Sequence, residues 1–458
     1  MASNETVSVL KGFPIAQIKE EHETLATGEW NPYTKQRSFP DSRTPPSQAF
    51  FSRAIDKWKV LISPYTPTHG LNCSPSDPVV LYVRMLIKVF GLRLTGKRQQ
   101  VEVASSALMN IWLSIWTWLR TIHAHSHASK WPLYNDVDAA NCSAGYDLLV
   151  DTLFVLFYSN PPTPLSILVG ETNGVKKMMA AIWIGEGRDS SATFGFKAAS
   201  YTATWPHYPP PGPILPQIVD QCQGGVAAAR ILLSRIKNNL TLAEPDFQSL
   251  LTDLRVMEDQ LSGEIQPAGP ALLRKALISH DIPFIGAMVD VLHLLLRDRV
   301  PQQWAEMSDF LQPPFVSISH HVNTTGRAYE CAIQLNRGTI IALLANASST
   351  CGSSWDRRFA ARSGELLQFI GKFTIYKTFF RILQENISPG MRITSSKFRA
   401  SKDPNCQQVS WLVNRVDEWA KIWGTERHFA LDCGNTQVRG PKCAPSETLK
   451  CAAVHSVR

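Results

Sequence analysis

Residues 245–299 read PDFQSLLTDLRVMEDQLSGEIQPAGPALLRKALISHDIPFIGAMVDVLHLLLRDR, and the spacing of their apolar side chains decides the fold. Phe247, Leu250, Leu251, Leu254, Met257 and Leu261 recur at intervals of three and four, the period that lines one face of an α-helix. Pro245 stands where a first-turn proline is tolerated, because its missing N–H would have no helical partner there. Leu272, Leu273, Ala276 and Leu277 predict a shorter helix that ends near Asp281, and Pro283 opens the next. That third helix carries the stripe Ile285, Met288, Val289, Leu292, Leu295 and Leu296, with Pro301 beyond it as a stop. Consecutive amphipathic helices with short connections are the local grammar of stacked helix pairs.

The same period extends outward. Ile218, Cys222, Val226, Ala229, Leu233 and Ile236 predict a helix, as do Ala107, Ile111, Ile115 and Leu119, and Val409, Leu412, Val416, Trp419 and Trp423. Alternating runs bounded by Asn-Gly or Asp-Gly turns are scarce. Ala332–Leu344 has enough β-branched residues for a strand, but its helical neighbours favour a helix. The expected fold class is all-α, either an irregular helical-repeat (armadillo/HEAT-like) array or a helical bundle, in two lobes. No repeated signature recurs at roughly 34–45 residue spacing, so the array rests on connection lengths. The division follows Trp205–Pro216 (WPHYPPPGPILP), where prolines remove the donors a helix needs. It gives a polar flank over 1–44, an N-terminal helical lobe over 45–204, a Pro-rich linker over 205–216, a C-terminal helical lobe over 217–430 and a polar tail over 431–458.

Composition fits a globular body. The chain has 458 residues, 44% hydrophobic and 18% charged, with a net charge of +8. These values exclude disordered and collagen-like classes, and nine cysteines are too sparse for a disulfide scaffold. The start, MASNETVSVLKGFPIAQ, lacks the basic and apolar regions of a secretory signal. The apolar runs Leu148–Tyr158 and Ala107–Leu119 are shorter than the ~20 residues a bilayer requires. The expectation is a cytoplasmic or nuclear protein, not secreted, not transmembrane, with reduced thiols. The sequons at Asn4, Asn141, Asn239, Asn323, Asn346 and Asn386 then read as chance matches.

Candidate sites each have a plainer reading. His123, His125 and His127 in HAHSH suggest a metal site, but only His123 and His127 share a helix face and no carboxylate adjoins them. A histidine-bearing helix end complementing the macrodipole is preferred. Trp112, Trp116 and Trp118, followed by Trp131, could form an aromatic box, yet such clusters in long helices are mostly core. Tyr208–Pro216 could present polyproline II to a partner, and reads better as a rigid linker. Gly170–Lys177 (GETNGVKK) lacks the phosphate-loop pattern and follows no strand, and no protease, hydrolase, kinase or dinucleotide motif occurs. Arg392, Lys397, Arg399 and Lys402 in 391–402 could meet phosphate only nonspecifically, and read as a solvated loop.

Cys433, Cys443 and Cys451, with His455, cluster in CGNTQVRGPKCAPSETLKCAAVHSVR. Grouped thiolates in a reduced compartment point to zinc. Their C-x9-C-x7-C-x3-H spacing lacks the two-residue steps that preorganise zinc knuckles, so this metal site is expected to be empty. A helical region ending in VDEWAKIW, then CGNTQ and KCAAVHSV, resembles the entry into a MYND-type zinc finger, in particular the fungal MYND-type proteins with long α-helical N-terminal regions. Val454 and Val438 stand where that family has cysteines, and the chain stops at Arg458 where the second half would begin. The expected finger is therefore degenerate or truncated. The resemblance implies a non-catalytic protein–protein interaction or scaffold protein, transcription-related, with no cofactor beyond zinc. The alternatives are a relative of the SET/MYND methyltransferases, although neither a SET-like Asn-His string nor a β-rich body is evident, and a weak nucleic-acid binder through 391–402.

Overall fold

The computed structural model describes residues 47–64, 78–94, 97–128, 146, 149–158, 162–188, 195–202, 213–262, 268–279, 281–296, 301–337, 339–351, 357–387 and 404–425. Among these, every regular element is helical, as the periodicity requires. Packing divides the chain into Met1–Leu277 and Ile278–Arg458.

In the first unit, α1 (Gln48–Lys57) begins at Ser47, whose hydroxyl accepts the Phe50 N–H at 3.2 Å. It runs directly into a π-helical turn, Trp58–Ile62. Next come α2 (Pro78–Leu94), α3 (Arg98–Met109), α4 (Trp112–Ala128) and α5 (149–157). The fully buried Trp58 lies edge-on to Phe90 and donates its indole N–H to Ser114 at 3.1 Å, which fixes the π-turn to α4. α6 (Pro164–Glu171) starts at a reciprocal cap: Ser166 N–H donates to Thr163 Oγ1 and Thr163 N–H to Ser166 Oγ. α7 (Val175–Arg188) and a 3₁₀ turn (Lys197–Thr202) precede α8 (Leu215–Gln221), α9 (Gly225–Leu240), α10 (Phe247–Ser262) and α11 (Ala268–Ile278).

The single helix expected over Ile218–Ile236 is two. Gln223 (φ 60°) and Gly224 (φ 136°) turn the chain between α8 and α9, and the second conformation is one that favours glycine. Consequently Val226 is exposed, and Gly225 takes the buried place beside α11. A Cβ at Gly225 would lie 2.1 Å from the Leu272 carbonyl oxygen, so only glycine permits this approach. Of the Pro-rich segment 205–216, only 213–216 are described; α8, which follows it, packs against α7.

The second unit comprises α12 (Phe284–Leu296), α13 (Pro301–Thr324), α14 (Ala328–Arg337), α15 (Ile340–Cys351), α16 (Arg357–Gly371), α17 (Lys377–Asn386) and α18 (Pro404–Thr425). Pro301 opens α13 as well as following α12, and that helix runs through Pro313 and Pro314 despite the backbone bonds they forgo. The Ala332–Leu344 stretch is helical, divided between α14 and α15. α12 packs on α13, α14 and α15, and α18 packs on α15 and α16. The core includes Leu292, Leu295, Ile318, Leu335, Leu367, Ile370, Leu383, Leu412 and Val416. Asn386 Nδ2 donates to the Asn336 carbonyl at 2.7 Å and ties α17 to α14.

Candidate functional site

The first unit encloses a charged cluster that the apolar stripes did not announce. Arg235 sits on α9, Glu186 near the end of α7 and Asp253 in the middle of α10, with their side chains at 0%, 2% and 1% exposure. Arg235 Nη1 donates to Glu186 Oε2 at 2.7 Å, and Nε donates to both Asp253 oxygens at 3.0 and 3.2 Å. Nη1 also donates to the Trp183 carbonyl (2.9 Å), and Nη2 to the Phe196 carbonyl (3.3 Å). The guanidinium carbon stands 4.6 Å from the Trp183 ring and 5.5 Å from the Phe196 ring, both on the cation-attracting aromatic face. The planar fork of arginine suits this: several fixed donors meet acceptors from different elements at once.

A small residue makes the cluster possible. A Cβ on Gly187 would lie 2.6 Å from Ile231 Cγ2 and 2.8 Å from Arg235 Cγ. Without one, α7 and α9 approach closely enough for Glu186 to meet the guanidinium. Glu186 is also held by the Tyr146 hydroxyl (2.6 Å) and by the Ala198 N–H (3.0 and 3.2 Å), which links it to the 3₁₀ turn.

Burial governs the electrostatics. It pushes the Asp253 carboxyl up to about 6, against the opposing pull of Arg235, while the Glu186 charge raises it further. Glu186 is also raised by burial, with Arg235 and the Tyr146 hydroxyl acting against the shift. Tyr146 is raised well above an ordinary phenol by burial and by the adjoining Glu186. Burial alone would lower Arg235, but the charges of Asp253 and Glu186 leave it above its usual value. The Trp183 indole adjoins Asp253 and eases its ionisation, although its N–H closes no hydrogen bond of normal geometry. Chemically, this arrangement clamps α7, α9, α10 and the 3₁₀ turn together.

The candidates from the sequence fall elsewhere. Cys433, Cys443, Cys451 and His455 lie outside the described residues, as do Arg392, Lys397, Arg399, Lys402 and Trp131. Among the described residues, no group of three or more His, Cys, Asp or Glu is placed to hold a metal ion. His123, His125 and His127 lie in the last turns of α4. Trp112, Trp116 and Trp118 are buried; the first two stack with centroids 6.1 Å apart, and Trp112 donates to Thr172 Oγ1 at 2.7 Å, so they are core. Gly170–Lys177 joins α6 to α7, helix to helix. Cys222, Cys331 and Cys406 are buried free thiols. Among the described residues, no helix is long and apolar enough to cross a membrane.

Arg235, Glu186 and Asp253 escaped the sequence reading. The available signal was Asp253 and Arg235 standing inside apolar text, LLTDLRVM and ILLSRIK. Compared with known proteins, the chain matches no family model, no curated protein and no solved structure.

Proposed function

We propose that this protein is a non-catalytic interaction or scaffold protein whose helical body presents a surface to a protein partner. The observation that carries this reading is Leu113. It stands 73% exposed on the solvent side of α4, beside the buried Trp112 and Ile115. Val60 (66%) and Val103 (50%) are likewise uncovered in the same unit. Large aliphatic side chains left in water on a rigid scaffold are candidates for burial by a partner. The Arg235 cluster supports a scaffold, because its side chains are closed off from solvent and tie α7, α9 and α10 together.

In this proposal the body is an irregular armadillo/HEAT-like array or a two-lobed bundle, acting in the cytoplasm or nucleus. The tail retains the degenerate MYND-like text with Cys433, Cys443, Cys451 and His455, and a transcription-related partner follows from that resemblance.

The test compares proteins captured by the full-length wild type, by Leu113→Asp and by a Gln99→Asp control on the exposed face of α3. Capture kept by wild type and control but lost with Leu113→Asp supports the proposal. Identical capture by all three overturns it.

A further inference from the structure

Two carboxylates and one guanidinium are closed off from solvent together in the first unit, which leaves one negative charge in excess. The carboxylates are unequally supplied. Glu186 receives Tyr146, Ala198 and Arg235 as donors, whereas the hydrogen bonds to Asp253 come from Arg235 Nε. A carboxylate with more donors holds its charge more readily. We propose that the Glu186–Arg235–Asp253 cluster is a proton-binding site: the first unit takes up a proton at Asp253 as it folds, and α7, α9 and α10 hold together more tightly while it is bound.

The surrounding groups favour this seat. Arg235 of α9 faces Asp253 directly, and Glu186 of α7 lies across the guanidinium. Tyr146 donates to Glu186, while Tyr201 of the 3₁₀ turn feels the charges of both Glu186 and the α5 residue Asp151. Lys197 of the same turn is exposed. The guanidinium thus balances one carboxylate, and a proton on the less supported one neutralises the second. An isolated negative charge in a dry interior is costly and is ordinarily neutralised by protonation.

Linkage fixes the pH window. The carboxyl of Asp253 is raised from 3.8 to about 6 on burial. Its contribution to folding is therefore complete below about pH 4 and is lost as the pH rises through about 6. Asp253→Asn keeps the shape and removes the titration. Hydrogen exchange over 213–262 in the full chain, with variant and wild type compared at each pH, cancels intrinsic exchange rates. The protection of Asp253→Asn relative to wild type should rise about twentyfold between pH 4.5 and 7.5. A ratio that stays flat across that range overturns the proposal. Infrared titration of the wild type decides independently of whether the variant folds. A protonated-carboxyl band at the frequency of a water-shielded acid, separate from that of the exposed Asp and Glu side chains, supports the site if it survives at pH 5 and bleaches near pH 6, and its absence at pH 5 refutes it.

Discussion

Replacing Arg235 with Met tests whether the charged cluster holds the first unit together. Methionine fills much of the same stem volume, so the change removes charge and donors more than packing. Asp253 loses both hydrogen bonds from Nε, Glu186 loses the 2.7 Å contact, and the Trp183 and Phe196 carbonyls lose their donors. Taking one partner from a buried ion pair costs about 3–5 kcal/mol, because the remaining charge stays buried and uncompensated. Against a typical domain stability of roughly 5–15 kcal/mol, that is a large share. Hydrogen exchange over 213–262 at pH 7.5 should accelerate accordingly. The loss should shrink at pH 5, where the orphaned carboxyls, both raised by burial, accept protons and cease to be buried charges. The triple variant Arg235→Met, Glu186→Gln, Asp253→Asn should recover most of the stability, since a neutral cluster leaves no charge unpaired. Exchange in Arg235→Met within about 1 kcal/mol of wild type at pH 7.5 would refute the reasoning, because it implies that the guanidinium is not the group neutralising these carboxylates.

Gly225→Ala should destabilise by about 1–3 kcal/mol in urea unfolding, because the new methyl meets the fixed backbone of Leu272 and must force α9 away from α11. Gly286→Ala, which meets nothing within 4 Å inside α12, should instead be neutral or stabilise by up to about 1 kcal/mol through helix propensity; similar losses for both would discredit the close approach. Elemental analysis of the purified chain should find substoichiometric zinc, given the long intervals between Cys433, Cys443, Cys451 and His455. Stoichiometric zinc released by Cys451→Ser contradicts that expectation.

The helical body was legible because burial leaves a periodic trace. Leu250, Leu251, Leu254, Met257 and Leu261 on α10 are all buried, as is the whole stripe from Ile285 to Leu296 on α12. The reading failed where conformation turns on a single residue. The stripe through Ile218, Cys222 and Val226 continues across a turn, since apolar side chains on two short helices keep an approximate period through the break. Gly224 was the available sign of it, but φ of 136° cannot be read from periodicity. Pro313 and Pro314 show the converse: proline disfavours a helix interior, yet α13 runs through both.

The charged cluster was hidden for a different reason. A stripe reveals one buried face, but α10 is buried on more than one: Ser249, Asp253, Val256 and Gln260 form a second inward column. The 3₁₀ turn Lys197–Thr202, which packs against α10, is too short to leave a periodic trace of its own. From sequence, Asp253 therefore looks like an ordinary residue on a solvated face. Its partner Arg235 is 18 positions away and Glu186 lies 49 from Arg235, separations that no helical period relates. Gly187 supplies the missing link. A glycine near the end of a helix reads as a weak spot, costing about 1 kcal/mol relative to alanine. In the fold it is the gap through which Ile231 and Arg235 approach α7, so its conformational cost sustains the contact that neutralises Glu186. Charge placement here depends on backbone proximity, and that proximity exists only after the helices have packed.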